Sequence, residues 1–375
     1  MNSAEVIAAI HEALGKVSDP ELRRPLPELG MVENVEFDDG LATLKILLTI
    51  SGCPMRDRLT QDINQAVEVV PGVARVSIEF GVMNDEQREK VKHLLRGGKE
   101  KFIPFAQPGS MTRVIGIASG KGGVGKSSVT VNLASALSQL GFSVGILDAD
   151  IYGHSIPRLM GIEGKRPTAI DQTFIPVEAH GIKIVSIEMF KPDRADPVAY
   201  RGPLLHRVLE QLLSDAYWGD LDFLLLDLPP GTGDIAISLG QLVPASEILI
   251  VTTPQVAAAE VAERAGRIAH QLKQQIIGVI ENMSAFQMPG GVTIDLFGSG
   301  GGEETASRLS TLVGADIALL GKIPFDQSLR EGGDVGEAII FRSPDSAAAQ
   351  EFIRIAQAIS VRKRSLLGVR LGLST

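Results

Sequence analysis

Apolar residues fall into two regimes along the chain. Through about residue 83 they are interleaved with polar ones. Val6, Ile7, Ile10 and Leu14 recur at helical spacing behind Ser3, which the pattern makes a helix cap. Val35–Phe37 and Ala42–Ile50 flank Asp38-Asp39-Gly40 and predict a hairpin. Met55, Leu59, Ile63 and Val67 step by four behind Pro54, so a helix is expected to about Val69, where Pro71-Gly72 follows. Val73–Phe80 alternates like a strand. From Met111 the pattern changes. Short continuous apolar runs (Val114–Ala118, Val144–Leu147, Phe223–Leu226, Ile248–Thr253, Ile276–Glu281 and Leu319–Ile323) alternate with segments of helical period. Strands buried on both faces read this way, and strand–helix alternation predicts an α/β domain with a mostly parallel sheet wrapped by helices. Residues 84–110 separate the two regimes. They open with a dense charge run and close on Pro104, Pro108 and Gly109, as a helical start running into a tether would. The expected organisation is a small α+β domain over 1–83, a linker over 84–110, an α/β domain over 111–360 and a tail over 361–375.

The totals narrow the function classes. A chain of 375 residues has room for two domains, and 44% apolar with 22% charged residues suits a water-soluble globular protein. The net charge of −9 argues against nucleic acid as a partner. No apolar run reaches the roughly 18 residues a membrane-spanning helix needs. The first residues carry Glu5 and no basic run, so they do not read as a signal peptide, and the cytoplasm is the expected location. The single cysteine, Cys53, excludes an intrachain disulfide and an all-cysteine metal site within one chain.

The strongest chemical signal is Ser119–Ser128, SGKGGVGKSS, between an apolar strand and a helical segment. Gly120, Gly122, Gly123 and Gly125 let successive backbone N–H groups turn toward one anion, and the following helix adds the positive end of its dipole. Gly120 to Ser127 fits the G-x-x-x-x-G-K-[ST] phosphate-binding pattern in full. The loop Gly120, Lys121, Gly122, Gly123, Val124, Gly125, Lys126, Ser127 and Ser128 is therefore the ATP-binding candidate, with Lys126 on the β- and γ-phosphates and Ser127 on Mg2+. Phe223–Leu226 ends at Asp227, the arrangement of a carboxylate that organises the magnesium shell. Pro229-Pro230-Gly231-Thr232-Gly233-Asp234 behind it has the glycines a phosphate-sensing switch needs. Val144–Leu147 ends at Asp148-Ala149-Asp150, placing two carboxylates at the edge where such sheets bind ligands.

The second lysine of the loop, Lys121, resembles the deviant Walker A signature of the MinD/ParA/nitrogenase-iron-protein class. That resemblance implies a homodimer in which Lys121 reaches the partner subunit's nucleotide. It also implies that Asp150 prepares the attacking water and Asp148 supports Mg2+ or the loop, and that Asn282, with Pro324 through Asp326, cradles adenine. Residues Asp19-Pro20-Glu21, Leu29–Val32 and Thr49–Pro54 resemble a metal–sulfur cluster assembly domain. Cys53 then has two readings, a thiolate-forming group before a helix N-terminus or a small buried apolar residue. Together with YRGPLLH (Tyr200–His206), TTPQ (Thr252–Gln255), ENMS (Glu281–Ser284), FGSGGG (Phe297–Gly302) and LREGGDVGE (Leu329–Glu337), these blocks resemble the Mrp/ApbC family of iron–sulfur cluster carrier ATPases over nearly the whole chain.

One departure bears on the cargo. The resemblance implies a C-x-x-C pair between ENMS and FGSGGG, but Ala285–Val292 contains no cysteine. Met288 and Gln287 do not replace thiolates on iron and sulfide. His154, His180, His206 and His270 are scattered without metal-ligand spacing. The resemblance thus implies a Mg2+-dependent ATPase that delivers clusters to, or docks, apoprotein clients, with Cys53 the one thiol to share. The alternative is a nucleotide-switched positioning ATPase without a cluster; a metabolic kinase fits less well, since a phosphate acceptor needs neither Lys121 nor PPGTGD. The tail, with Arg362, Lys363, Arg364 and Arg370 among leucines, has the composition of a membrane-surface segment, but Gly368 and Gly372 weaken a helix there and membrane contact is not the expected role.

Overall fold

The computed structural model describes residues 2–49, 55–95, 102–107, 109–150, 153–170, 173–191, 202–231, 233–288 and 293–361. They form two compact units, Met1–Phe102 with Thr168–Ile175, and Ile103–Pro167 with Pro176–Thr375. Cys53, Pro54, Thr232 and the tail from Arg362 lie outside the described residues.

The first unit starts with helix α1 (Ser3–Leu14), which buries Val6, Ile10 and Leu14. Its cap is Asn2, not Ser3. The Asn2 side chain accepts from Glu5 N–H and the Glu5 carboxylate accepts from Asn2 N–H, each at 2.9 Å, a reciprocal box that displaces Ser3 into the first turn. Strands β1 (Val32–Asp38) and β2 (Leu41–Leu48) pair antiparallel around Asp39 and Gly40, both at positive φ, as a tight right-twisted hairpin demands. Helix α2 (Arg56–Val67) buries Leu59, Ile63 and Val67, and β3 (Arg75–Val82) returns parallel to β2. Helix α3 (Asp85–Leu95) follows. Asp19 accepts from Glu21 and Leu22 N–H, and burial holds its carboxyl above the usual range.

In the second unit, the last part of the expected tether is core. Pro104–Ala106 form a turn of 3-10 helix that buries Phe105 edge-on to Trp218, with ring centroids 6.2 Å apart. The apolar quartet Phe102–Phe105 within the charged stretch was the available signal. Strand β4 (Arg113–Ser119) leads to helix α4 (Lys126–Gln139), and β5 (Val144–Asp148) leads to the short α5 (Ile156–Leu159). Strands β6 (Thr168–Ile170) and β7 (Thr173–Ile175) form a hairpin that belongs with the first unit, where Thr168 Oγ1 donates to the Glu21 carboxylate at 3.0 Å. Next come β8 (Val177–Ala179), β9 (Ile182–Ser186), α6 (Gly202–Ser214), β10 (Phe223–Asp227), α7 (Asp234–Leu242), β11 (Glu247–Thr252) and α8 (Val256–Gln271). The chain ends with β12 (Gln275–Ser284), the two-residue strands β13 (Phe286–Gln287) and β14 (Thr293–Ile294), α9 (Gly301–Val313), β15 (Leu319–Pro324), α10 (Gln327–Val335), α11 (Ile339–Arg342) and α12 (Ala347–Val361).

The main sheet has the order β15-β12-β11-β4-β10-β5-β9-β8. All its pairs are parallel except β8 with β9 at the edge. Strand β4 lies in the middle, and the chain fills one side of it before crossing to the other, so its carboxyl end is the switch point where such sheets bind ligands. Strand β12 runs on past Asn282 to Ser284, so Asn282 lies inside a strand and not at its end. No helix among the described residues is long and apolar enough to cross a membrane.

Candidate functional site

Strand β4 delivers the chain into Gly120–Gly125 at the carboxyl edge of the sheet. Gly125, at φ +77, is the residue before α4, and no side chain caps that helix. Its first-turn N–H groups therefore face the loop, as an anion site requires. Two glycines are fixed by contact. A Cβ on Gly120 would lie 2.3 Å from the Val261 carbonyl carbon, and one on Gly125 would lie 2.3 Å from Asn282 Nδ2.

The polar groups behind the loop converge on Asp227, which is fully buried. Lys126 Nζ pairs with its Oδ1 at 2.7 Å, Thr130 Oγ1 donates to Oδ1 at 2.9 Å and Ser127 Oγ donates to Oδ2 at 2.5 Å. Thr130 had not been expected in the site; one turn beyond Lys126, its single hydroxyl proton is shared between Asp227 and the Lys126 carbonyl, 3.0 Å away. Asp148 stands beside Asp227, because β5 and β10 pair with those two residues in register. Burial and the neighbouring Asp227 carboxylate hold the Asp148 carboxyl well above the usual carboxylate range, against the pull of Ser186 and Lys126. Ser186 Oγ donates to Asp148 Oδ2 at 3.0 Å, and Asp150 N–H donates to its Oδ1 at 3.2 Å. Asp150 is itself buried and accepts from Gly153 N–H at 3.0 Å. Hard oxygen ligands suit Mg2+; Lys126 and Ser127 meet Asp227 directly, Asp148 stands beside it, and Asp150 joins through its backbone N–H.

Lys121 points elsewhere. Its Nζ donates to Gln255 Oε1 at 2.7 Å, at the start of α8. Gln255 had no role in the sequence reading beyond the TTPQ block. Gly231, at φ +90, donates its N–H to the Ser119 carbonyl at 2.9 Å, which ties the expected second switch to the end of β4. Asp234 opens α7 and is exposed.

A cavity of about 500 Å³ lies beside the loop, lined by Gly125, Ser128, Asn282, Pro324, Phe325 and Asp326 among others. The structure thus brings together the residues expected around adenine. Asn282 Nδ2 donates to the Val124 carbonyl at 2.9 Å. The Asp326 carboxylate caps α10, accepting from Ser328 and Leu329 N–H at 2.7 and 3.2 Å. Arg158 and Met283 also line the cavity and had not been singled out.

The histidines stay apart, and no group of three metal-capable side chains occurs among the described residues. His154 pairs with the buried Glu188 at 3.2 Å and meets Lys191 Nζ at 3.0 Å.

Comparison with known proteins agrees with both units. A family described as an iron-transfer P-loop NTPase of NUBPL type matches residues 110–360, and one described as an iron-sulfur cluster assembly protein matches residues 7–79. A Mycobacterium tuberculosis protein named iron-sulfur cluster carrier protein is 55% identical over 368 residues, 98% of this chain and 96% of that one. Its namesake from Deinococcus radiodurans is 40% identical over 369 residues, 97% of this chain and 98% of the other. Among solved structures, a nucleotide-binding protein from Archaeoglobus fulgidus in complex with ADP is 36% identical with a TM-score of 0.52, covering 62% of this chain and 89% of its own.

Proposed function

The chain belongs to the iron-transfer P-loop NTPase family, and we propose that it is a Mg2+-dependent ATPase that carries iron–sulfur clusters to apoprotein clients. The observation that carries the ATPase reading is the convergence of Lys126, Ser127 and Thr130 on Asp227, with Asp148 and Asp150 alongside. In this reading Lys126 binds the β- and γ-phosphates and Asp150 orients the attacking water. Ser127, Asp227 and Asp148 would hold Mg2+, which would supply counter-charge to those phosphates. ATP enters with its base in the cavity beside Asn282, Pro324 and Asp326. Lys121 acts across a homodimer and lends its charge to the partner's transferred phosphoryl group.

The cargo meets few ligands. The chain has one thiol, Cys53, so a homodimer offers two thiolates in all. Thiolate is the ligand that holds iron–sulfur clusters, and Met288 does not stand in for it. The carrier role therefore runs through Cys53, with the client's cysteines completing the set as the cluster passes. A positioning ATPase without cargo is the less favoured reading, since full-length carrier relatives match both units.

The test is ATP turnover with Mg2+, alongside anaerobic reconstitution with iron and sulfide. Lys126→Ala and Asp150→Ala are each expected to abolish turnover, and normal turnover in either overturns the assignment. Reconstituted protein should bind iron, and Cys53→Ser should lose it. Iron retained in Cys53→Ser would remove the thiol from the account.

A further inference from the structure

Two sequence blocks take no part in the chemistry above, Thr252–Gln255 and Phe297–Gly302. The structure joins them at the first turn of α9. The first amides of a helix have no partner within it. Here Gly301 N–H donates to the Pro254 carbonyl at 2.9 Å, and Gly302 N–H donates to the Glu281 carboxylate at 2.7 Å. Neither position has room for a side chain. A Cβ at Gly301 would lie 2.4 Å from the Thr253 carbonyl oxygen, and one at Gly302 would lie 2.9 Å from the Glu281 Cβ. Glu281 is buried at the positive end of this helix and also accepts from Ser284 Oγ.

Each group that grips α9 is the chain neighbour of one that grips the phosphate loop. Pro254 precedes Gln255, which accepts from Lys121 at 2.7 Å. Glu281 precedes Asn282, whose Nδ2 donates to the Val124 carbonyl at 2.9 Å. Between the second pair and Ser284 stands Met283 at φ +56, a left-handed backbone that a long side chain adopts at a cost. A third link bypasses both. Phe325 lines the nucleotide cavity and packs against Phe286 of β13 and Phe297, with ring centroids 6.1 and 6.0 Å apart.

We infer that the first turn of α9, with the flanking Phe286 and Phe297, is the element through which the chain reports its nucleotide state, and that Gln255 and Glu281 are its positioning residues. The inference rests on the ATPase reading. When Lys121 turns toward a phosphoryl group it releases Gln255, and the Thr253–Gln255 loop is then no longer tied to the phosphate loop. The Gly301 amide loses its fixed acceptor, and the first turn of α9 loosens. Gly301 and Gly302 of the FGSGGG block are thus explained by close backbone approach, and Gly298 and Gly300 by their positive φ.

Hydrogen exchange of the full chain, compared between Mg2+-ADP and a non-hydrolysable Mg2+-ATP analogue, tests this. Peptides over 298–305 should exchange roughly two- to tenfold faster with the ATP analogue, the range that one amide hydrogen bond spans. Gln255→Ala, a change at an exposed side chain, should remove the difference between the two nucleotides while a fluorescent ADP still binds. Glu281→Gln should speed exchange of the same peptides in both states. Equal exchange in the wild-type chain, or an undiminished difference in Gln255→Ala, overturns the inference. Turnover measured on the same preparation separates that result from failure of the ATPase reading.

Discussion

Asp148 and Asp227 are two fully buried carboxyl groups on adjacent strands, and they do not share one electrostatic situation. Asp227 has Lys126, Ser127 and Thr130 around it, whereas Asp148 has the Ser186 hydroxyl and the Asp150 amide. Burial, followed by the charge of Asp227, raises the Asp148 pKa. For an acid raised by folding, the unfolded chain gives up its proton first as pH climbs through the ordinary carboxylate range. The folded state keeps that proton, so it loses stability with rising pH until its own pKa is passed. Asp148→Asn removes this penalty, and the amide can still accept from Asp150 N–H and donate to Ser186. Without nucleotide and with chelator present, the variant should be more stable than wild type at pH 8. The gain should shrink as pH falls into the ordinary carboxylate range. Thermal melts across pH read this directly, and a variant no more stable at pH 8 would contradict it. The same variant should lose ATP turnover, since the proposed support of Mg2+ uses this side chain.

Strand β4 is held at both ends by different means. Its carboxyl end opens into the phosphate loop, and its first residue, Arg113, anchors the opposite end. Arg113 pairs with Glu247 of β11 at 2.8–2.9 Å and donates to the Ile359 carbonyl at 2.5 Å near the end of α12. Both side chains of the pair are almost wholly buried, at 7% and 3% exposure. Removing one partner leaves the other charge in the core, so Glu247→Ala should cost about 3–5 kcal/mol of unfolding free energy in urea titration. A loss under about 1 kcal/mol would mean that water reaches Arg113. Such ties were not legible in the sequence, because Arg113 and Glu247 sit at strand edges where a solvated charge is the ordinary reading. The strands themselves were legible, since Phe223–Leu226 and Ile248–Thr253 are continuous apolar runs ending in polar groups. The three-residue strands β6, β7 and β8 were not, being too short for a period of two to show. Asp326 carried a readable signal that pointed to helix capping, an Asp directly before a helical segment, and the base-cradle reading passed over it. Gln255 had no signal of its own, because a neutral residue after proline marks neither charge nor periodicity. Only its contact with Lys121 gives it a role.

At the scale of the whole molecule, the position of Lys121 decides how many chains make one active site. Lys126 turns inward to Asp227, while Lys121, on the same loop, turns to Gln255 at the start of α8. A cation that serves its own site needs no second copy, whereas one that serves a neighbour makes turnover depend on a closed symmetric pair. The two cases separate in a mixing experiment. Lys121→Ala keeps its own Asp150 and lacks the cation it would lend. Asp150→Ala keeps Lys121 and lacks the carboxylate proposed to orient water. Each variant alone should be inactive. In a mixed dimer, the site on the Lys121→Ala chain has its own Asp150 and receives Lys121 from its neighbour, so it is complete; the other site lacks both groups. If chains pair at random, an equal mixture holds half mixed dimers, each with one working site of two, and turnover should return to roughly a quarter of the wild-type rate. Turnover per chain in the wild type should also rise with protein concentration until dimers predominate. If the mixture stays inactive while both variants still bind nucleotide, Lys121 acts within its own chain.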